Sequence, residues 1–153
     1  MKRDEIIEIL NDLIEVCNDG KEGFKVCAYN AKIESLKLRT LLVERSRECG
    51  LAAEALTSLV QDEGGVPVSG TTASGTLHRG WLNVKTAIAG KTNRAVLEEC
   101  KRGEDVAKST YQKALAKNLP PSIRLLVERQ YQGVLNNHMQ IKKLCDEAKS
   151  LRL

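Results

Sequence analysis

The pentapeptide LLVER occurs twice in this chain, at residues 41–45 and again at residues 125–129. A tyrosine precedes each copy at a similar distance, Tyr29 before the first and Tyr111 before the second. Around both copies, apolar residues recur at helical spacing, which indicates a repeated unit of helix, tight turn and helix. Two such hairpins are the parts of a four-helix bundle, so the sequence predicts an all-α fold.

The first half of the chain predicts two long helices. The first should cover residues 4–31, because a stripe with steps of three and four runs through Gly20 without a break. The second should cover residues 34–62 and end at Gly64-Gly65, since glycine is the usual helix terminator. We therefore expect a first hairpin over residues 4–63.

The second half predicts another hairpin, over residues 92–151. Thr92 is placed to cap a helix over 93–117, and Ser122 to cap the last helix, after the turn at 118–121. Between the hairpins, residues 64–91 predict a glycine-rich crossover with a short helix over 77–89, anchored by the sole tryptophan, Trp81. One long crossover between two hairpins is the connectivity of ferritin-like bundles, and we expect residues 1–153 to form a single domain.

Composition narrows the functional classes. The 153 residues are 42% hydrophobic and 29% charged, and the net charge of +4 is spread along the chain without a basic block. This distribution does not favour nucleic-acid binding. No apolar run reaches the roughly 18 residues that span a bilayer, and the N-terminus lacks a signal-peptide pattern. We expect a cytoplasmic protein with no membrane or nucleic-acid partner.

The five cysteines favour a structural role. They lie on or near apolar helix faces, their number is odd, and no Cys-x-x-Cys pair is present. This pattern argues against a disulfide framework and against a zinc site. We expect buried thiols that pack as small hydrophobes.

Carboxylates near the repeat raise the hypothesis of a di-iron or di-manganese site. In ferritin-like bundles, two helices each supply one Glu and the other two each supply Glu-x-x-His, because a spacing of three places both ligands on one face. One set of candidate metal ligands can be assembled here, in which His138 supplies an imidazole two helical turns from the expected histidine position. Its members are Glu22, Glu44, Glu104, Glu128 and His138.

The histidine positions of that pattern are filled by other residues. Arg47 follows Glu44 by three residues and Tyr131 follows Glu128 by three, while Lys21 stands where the first helix would need an acid. An ammonium group would repel a divalent cation. The favoured interpretation is therefore that the carboxylates form ion pairs inside or at the edge of the bundle, with Arg45, Arg47 and Arg129.

The chain contains the strings NDLIE at 11–15, DGKEGF at 19–24, HRGW at 78–81, EECKRGED at 98–105, LPP at 119–121 and VERQY at 127–131. Taken together, these strings resemble a bacterial family of ferritin-like four-helix-bundle proteins of unknown function, distantly similar to rubrerythrin. The resemblance covers nearly the whole chain and implies a ferritin-like fold in a bacterial cytoplasm. In rubrerythrin-like proteins, Glu-Arg-x-His supplies metal ligands, and this chain departs from that pattern at Arg47 and Tyr131.

Three functions follow as hypotheses. The leading one is a non-catalytic, stress-associated bundle that acts through self-association, for example as a homodimer, or through a protein partner. The competing one is a carboxylate-bridged iron or manganese protein that handles iron, peroxide or oxygen. A third is a binding module with a ligand between its helices, where small residues would leave room. Those residues are Ala52, Ala53, Gly103 and Ala107.

Overall fold

The computed structural model describes residues 1–30, 35–69, 81 and 93–150, and these form four α-helices without a strand. The all-α prediction is confirmed, and each helix ends within a few residues of its expected bounds. The predicted short helix over 77–89 and the Thr92 cap lie outside the described residues, apart from Trp81. The helices are α1 (Arg3–Asn30), α2 (Leu36–Asp62), α3 (Asn93–Leu115) and α4 (Pro121–Ser150).

Local sequence signals explain where α2 begins and ends. The Ser35 hydroxyl accepts a hydrogen bond from the Leu38 amide at 3.1 Å, which satisfies one of the first four amides. At the other end, Gly64 adopts a φ of 78°, and the Gly65 amide donates to the Val60 carbonyl at 2.9 Å. Together with the bond from the Gly64 amide to the Gln61 carbonyl, these contacts form a Schellman motif.

The start of α4 differs from the sequence prediction. The helix begins at Pro121, so Ser122 lies in its first turn instead of capping it. Proline suits this position because its fixed φ is helical and its missing amide proton would have had no partner in the helix.

Gly20 allows α1 and α2 to pack closely. A Cβ added at Gly20 would lie 3.0 Å from Cys49 Sγ, which is tighter than ordinary contact. The helix continues through Gly20 without interruption, as the unbroken stripe predicted. Glycine costs α1 about 1 kcal/mol of intrinsic helix stability relative to alanine, and the close approach of the two helices offsets that cost.

Two antiparallel hairpins, α1–α2 and α3–α4, pack mainly through α1 and α3, whereas α2 and α4 touch at few positions. The core is largely aliphatic and falls into two clusters along the bundle axis. One surrounds Leu10, Leu56 and Val127, and the other surrounds Phe24, Leu42 and Ile141. Within the described ranges, no helix has the length and apolar character needed to cross a membrane.

The two LLVER copies face the core differently. In α2 the core-facing members are Leu42 and Arg45, whereas in α4 the third position, Val127, is buried and Arg129 is exposed. One residue corresponds to a rotation of about 100° about the helix axis. Equivalent positions of the two LLVER copies therefore differ in burial. The internal duplication stays a prediction.

Candidate functional site

A buried ion pair joins the two hairpins near the middle of the bundle. Arg45 of α2 donates a hydrogen bond from Nε to Glu104 Oε1 of α3 at 3.0 Å, and the two residues are 7% and 1% exposed. The same guanidinium lies 3.5 Å from Glu48 Oε2 and 5.7 Å from the centre of the Phe24 ring. Such a pair repays its desolvation only when its geometry is good, and both charges here have close partners.

Glu104 has an incomplete set of partners. Burial raises the pKa of its carboxyl, and the charge and hydrogen bond of Arg45 oppose that rise. The Asn137 side chain also lowers this pKa by hydrogen bonding, although Asn137 Nδ2 and Glu104 Oε2 do not meet at full hydrogen-bond geometry and have no other partner among the described residues. One carboxylate oxygen at the centre of the bundle is therefore left to accept a donor.

Trp81 lies beside this ion pair and depends on two glycines. Its side chain is 2% exposed, and its ring meets the Phe24 ring edge to face, with centroids 4.9 Å apart. A Cβ at Gly103 would come within 2.2 Å of the indole, and one at Gly23 within 2.3 Å. Only glycine at both positions leaves room for the ring, so Trp81 is held between α1 and α3.

A chain of hydrogen bonds crosses all four helices next to the ion pair. The Tyr111 hydroxyl of α3 donates to Gln130 Oε1 of α4 at 2.8 Å, and Gln130 Nε2 donates to the Ala52 carbonyl of α2 at 3.2 Å. Cys17 Sγ of α1 lies 3.3 Å from the same hydroxyl. Because the tyrosine proton is already directed at Gln130, the Cys17 thiol is the donor in this contact.

The metal-site candidates are dispersed. Glu22, Glu44 and Glu128 are exposed, and only Glu104 is buried. Glu44 pairs with Arg47, which lowers its pKa, and Glu128 lies 3.4 Å from Arg124. His138 Nε2 is 2.6 Å from Asp105 Oδ1, at the edge of α3. Across residues 1–30, 35–69, 81 and 93–150, no three His, Cys, Asp or Glu side chains cluster closely enough to hold a metal ion.

Helix rotation accounts for this dispersal. Glu44 precedes the buried Arg45 by one residue, and Glu128 follows the buried Val127 by one, so each carboxylate points away from the axis. Of the ion pairs expected from the sequence, the structure contains those of Arg45 with Glu104 and of Arg47 with Glu44.

Sequence reasoning left the Tyr111 chain and the central position of Arg45 unrecognised. For Arg45 the signal was available, because it lies three residues after Leu42 and four before Cys49 on the apolar stripe. No local signal exists for the hydrogen-bond chain. Cys17 and Tyr111 are 94 positions apart in the sequence, and Tyr111 and Gln130 lie on different helices.

The five cysteines are buried thiols, as expected. Burial raises the pKa of Cys17 to about 11, and burial also raises the pKa values of Cys49 and Cys100. Thiols react as thiolates, so these groups are protected both by inaccessibility and by their protonation.

We expect fewer than one thiol per folded chain to react with a disulfide reagent such as dithionitrobenzoate within minutes at pH 8. All five should react at once in guanidinium chloride. The absorbance of the released thiolate gives the number of reacted cysteines in the folded and in the unfolded protein. Rapid modification of two or more cysteines in the folded protein would contradict the buried placement.

Comparisons with known proteins agree with this architecture. A family model described as a domain of unknown function, DUF2383, matches residues 5–117. The chain belongs to the DUF2383 family. A search of curated protein sequences finds no match.

This member of DUF2383 is similar in structure to a dodecameric thioferritin, the bacterioferritin-related protein from Bacteroides fragilis. The match covers 99% of this chain and 91% of that chain, with a TM-score of 0.77 and 13% sequence identity. At this identity the likeness concerns the fold, and the expected ferritin-like helical bundle is confirmed.

Proposed function

We propose that this DUF2383 protein is a non-catalytic, stress-associated bundle that acts by associating with copies of itself or with a protein partner. The observation that carries the proposal is a row of exposed apolar side chains on α2. Leu36, Val43 and Leu51 are 77%, 38% and 50% exposed. Their spacings of seven and eight residues place them on one face of the helix. We call this row the α2 face.

Two further points support the proposal. Clustered exposed apolar residues, unlike single scattered ones, mark interaction surfaces in soluble proteins. In addition, the bacterioferritin-related neighbour with the same fold is dodecameric. Association of copies through a helix face would bury the α2 face without disturbing the Arg45–Glu104 pair inside.

Sedimentation of the purified chain tests the proposal. We expect an assembly larger than a monomer, and we expect the combined substitutions Leu36→Glu and Val43→Glu to shift it toward the monomer. Both sites are exposed, so helix content and melting temperature should stay close to those of the wild-type protein. Met139→Glu, at a 69% exposed site on α4, is the matched control and should leave the assembly unchanged.

Two outcomes count against this assignment. A wild-type chain that is monomeric at all concentrations would reject self-association. An assembly that resists the double substitution but breaks with Met139→Glu would place the contact on α4 instead.

The second candidate is the di-metal function, with iron or manganese held by Glu22, Glu44, Glu104, Glu128 and His138. The ferritin-like fold that this chain shares with a bacterioferritin-related protein favours it. Binding would require Glu44 and Glu128 to leave their arginine partners and turn inward.

Metal analysis of protein purified without chelator, followed by titration with ferrous ion, separates the two candidates. The non-catalytic proposal predicts well under one tightly held metal per chain. About two per chain, lost in Glu104→Ala and Glu128→Ala, would establish the di-metal function instead.

A further inference from the structure

A cavity of about 310 Å³ lies in the middle of the bundle, between the ion pair and the Tyr111 hydrogen-bond chain. An apolar cavity of about 150 Å³ can hold benzene, and ligand pockets begin at about 300 Å³. The space is therefore large enough for one substituted aromatic ring. All four helices and Trp81 contribute to its wall.

The cavity is reached from outside between α2 and α4, the two helices that touch at few positions. Glu48 and Leu51 line it from α2 and are both exposed, and Gly133 lines it from α4. Among the described residues, a Cβ at Gly133 would meet no atom within 4 Å. The absence of a side chain there leaves a passage from solvent to the cavity.

The walls determine what kind of molecule fits. Most are apolar, formed by Val16, Phe24, Ala107 and Val134 with the Trp81 ring. The polar groups are nearly all occupied, because the Arg45 guanidinium faces Glu104 and Glu48, and Tyr111 and Gln130 bond to each other.

Glu104 is the exception. It lines the cavity, is 1% exposed, and its Oε2 accepts no hydrogen bond from any described residue. A buried acceptor without a partner favours a ligand that brings one donor. An anion is disfavoured, because two carboxylates already face the single guanidinium.

We propose that this cavity binds a small, uncharged, mainly apolar molecule of the substituted-phenol class, whose hydroxyl donates to Glu104 Oε2. The apolar ring contacts Phe24, Trp81 and Val134, and the hydroxyl supplies the donor that the carboxylate lacks. The site shares Leu51 with the α2 face, but its test measures p-cresol binding and not assembly size, so the two proposals can fail separately.

Titration of the full chain with p-cresol, followed by calorimetry and by the fluorescence of Trp81, tests the proposal. Trp81 is the only tryptophan, so its emission reports on this cavity alone. We expect saturable binding of one p-cresol per chain. Toluene, which has the same shape without the hydroxyl, should bind at least about tenfold more weakly. Benzylammonium should bind more weakly than p-cresol, because the desolvation of its ammonium group costs more than one carboxylate partner returns.

Two variants locate the site. Gly133→Leu fills the passage and should abolish p-cresol binding without lowering the melting temperature, because leucine is the better helix former. Gln132→Leu, the same new side chain at the exposed neighbouring position, should bind as the wild-type protein does. In Glu104→Gln the amide oxygen stays with Arg45 and a neutral amide group replaces the carboxylate, so the preference for p-cresol over toluene should shrink, because the hydrogen bond is no longer charge-assisted.

Four results would overturn the inference: no saturable binding of p-cresol, equal affinity for toluene, tighter binding of benzylammonium than of p-cresol, or wild-type affinity in Gly133→Leu. A preference for p-cresol that is undiminished in Glu104→Gln would assign the donor contact to another group and would equally refute the role given to Glu104.

Discussion

Replacing Arg45 with methionine is expected to lower the free energy of unfolding by about 3 to 5 kcal/mol, the loss found when one partner of a buried ion pair is removed. Methionine matches the length of the aliphatic part of arginine and leaves the Glu104 carboxylate buried without its cation. Glu104 is 1% exposed, so its carboxylate would be left largely desolvated without a counter-charge. Urea unfolding followed by circular dichroism measures the effect.

Arg47→Met is the matched control for this substitution. Arg47 stands two residues later on the same helix, and its side chain is 60% exposed in its pair with Glu44. Exposed pairs contribute little, so the loss should stay below about 1 kcal/mol. Equal losses in the two variants would mean that burial does not distinguish these arginines.

The loss of unfolding free energy caused by Arg45→Met should also depend on pH. Without Arg45, the pKa of Glu104 rises further above its ordinary value, because burial is then opposed only by the smaller effects of Asn137 and His138. The folded state thus holds a proton that the unfolded chain releases, so stability falls as pH rises above the ordinary glutamate pKa. We expect the deficit relative to the wild-type protein to be smaller at pH 5 than at pH 7.5. A deficit that grows toward low pH would contradict this assignment.

Gly103→Ala is expected to destabilise the protein by roughly 1 to 3 kcal/mol, the usual effect of overpacking. The new methyl group would lie 2.2 Å from the Trp81 ring, so the ring must move. Alanine is the better helix former by about 1 kcal/mol, which makes a net loss diagnostic of the clash. Urea unfolding gives the loss, and a red shift of the tryptophan emission would report the displaced ring.

Gly133→Ala provides the matched control on α4. The same methyl group there would meet no atom of the described part of the chain within 4 Å, so this variant should gain about 0.5 to 1 kcal/mol. When Trp81 is replaced by leucine, Gly103→Ala should destabilise the protein much less, because the ring atoms that clash with the new methyl group are absent. A Gly103→Ala variant as stable as the wild-type protein would show that Trp81 does not rest on this glycine.

The sequence predicted the helices because each carries a continuous apolar stripe. Residues such as Leu10, Phe24 and Leu42 fell on expected core faces, and Gly64-Gly65 ended α2 where glycine chemistry requires. The first residue of α4 was harder to predict. A helix can begin at a proline such as Pro121 or follow a serine cap such as Ser122, and the preceding turn decides between them.

The centre of the bundle was less predictable, since it depends on helix rotation. A shift of one residue turns a side chain by about 100°, and this is the difference between Glu44, which is exposed, and Arg45, which is buried. The two identical LLVER strings suggested that the same residues of each copy face the core, whereas the two copies differ in which residues are buried. The pairing of Arg45 with Glu104 joins residues 59 positions apart, a contact that no local pattern encodes.

The double variant Arg45→Met with Glu104→Leu tests most directly whether a self-contained ion pair occupies the centre of this bundle. Its free energy of unfolding, measured in urea beside that of Arg45→Met, should return to the wild-type value or exceed it by about 1 to 4 kcal/mol, because no buried charge is left without a partner. A double variant as unstable as Arg45→Met, or less stable still, would contradict the account.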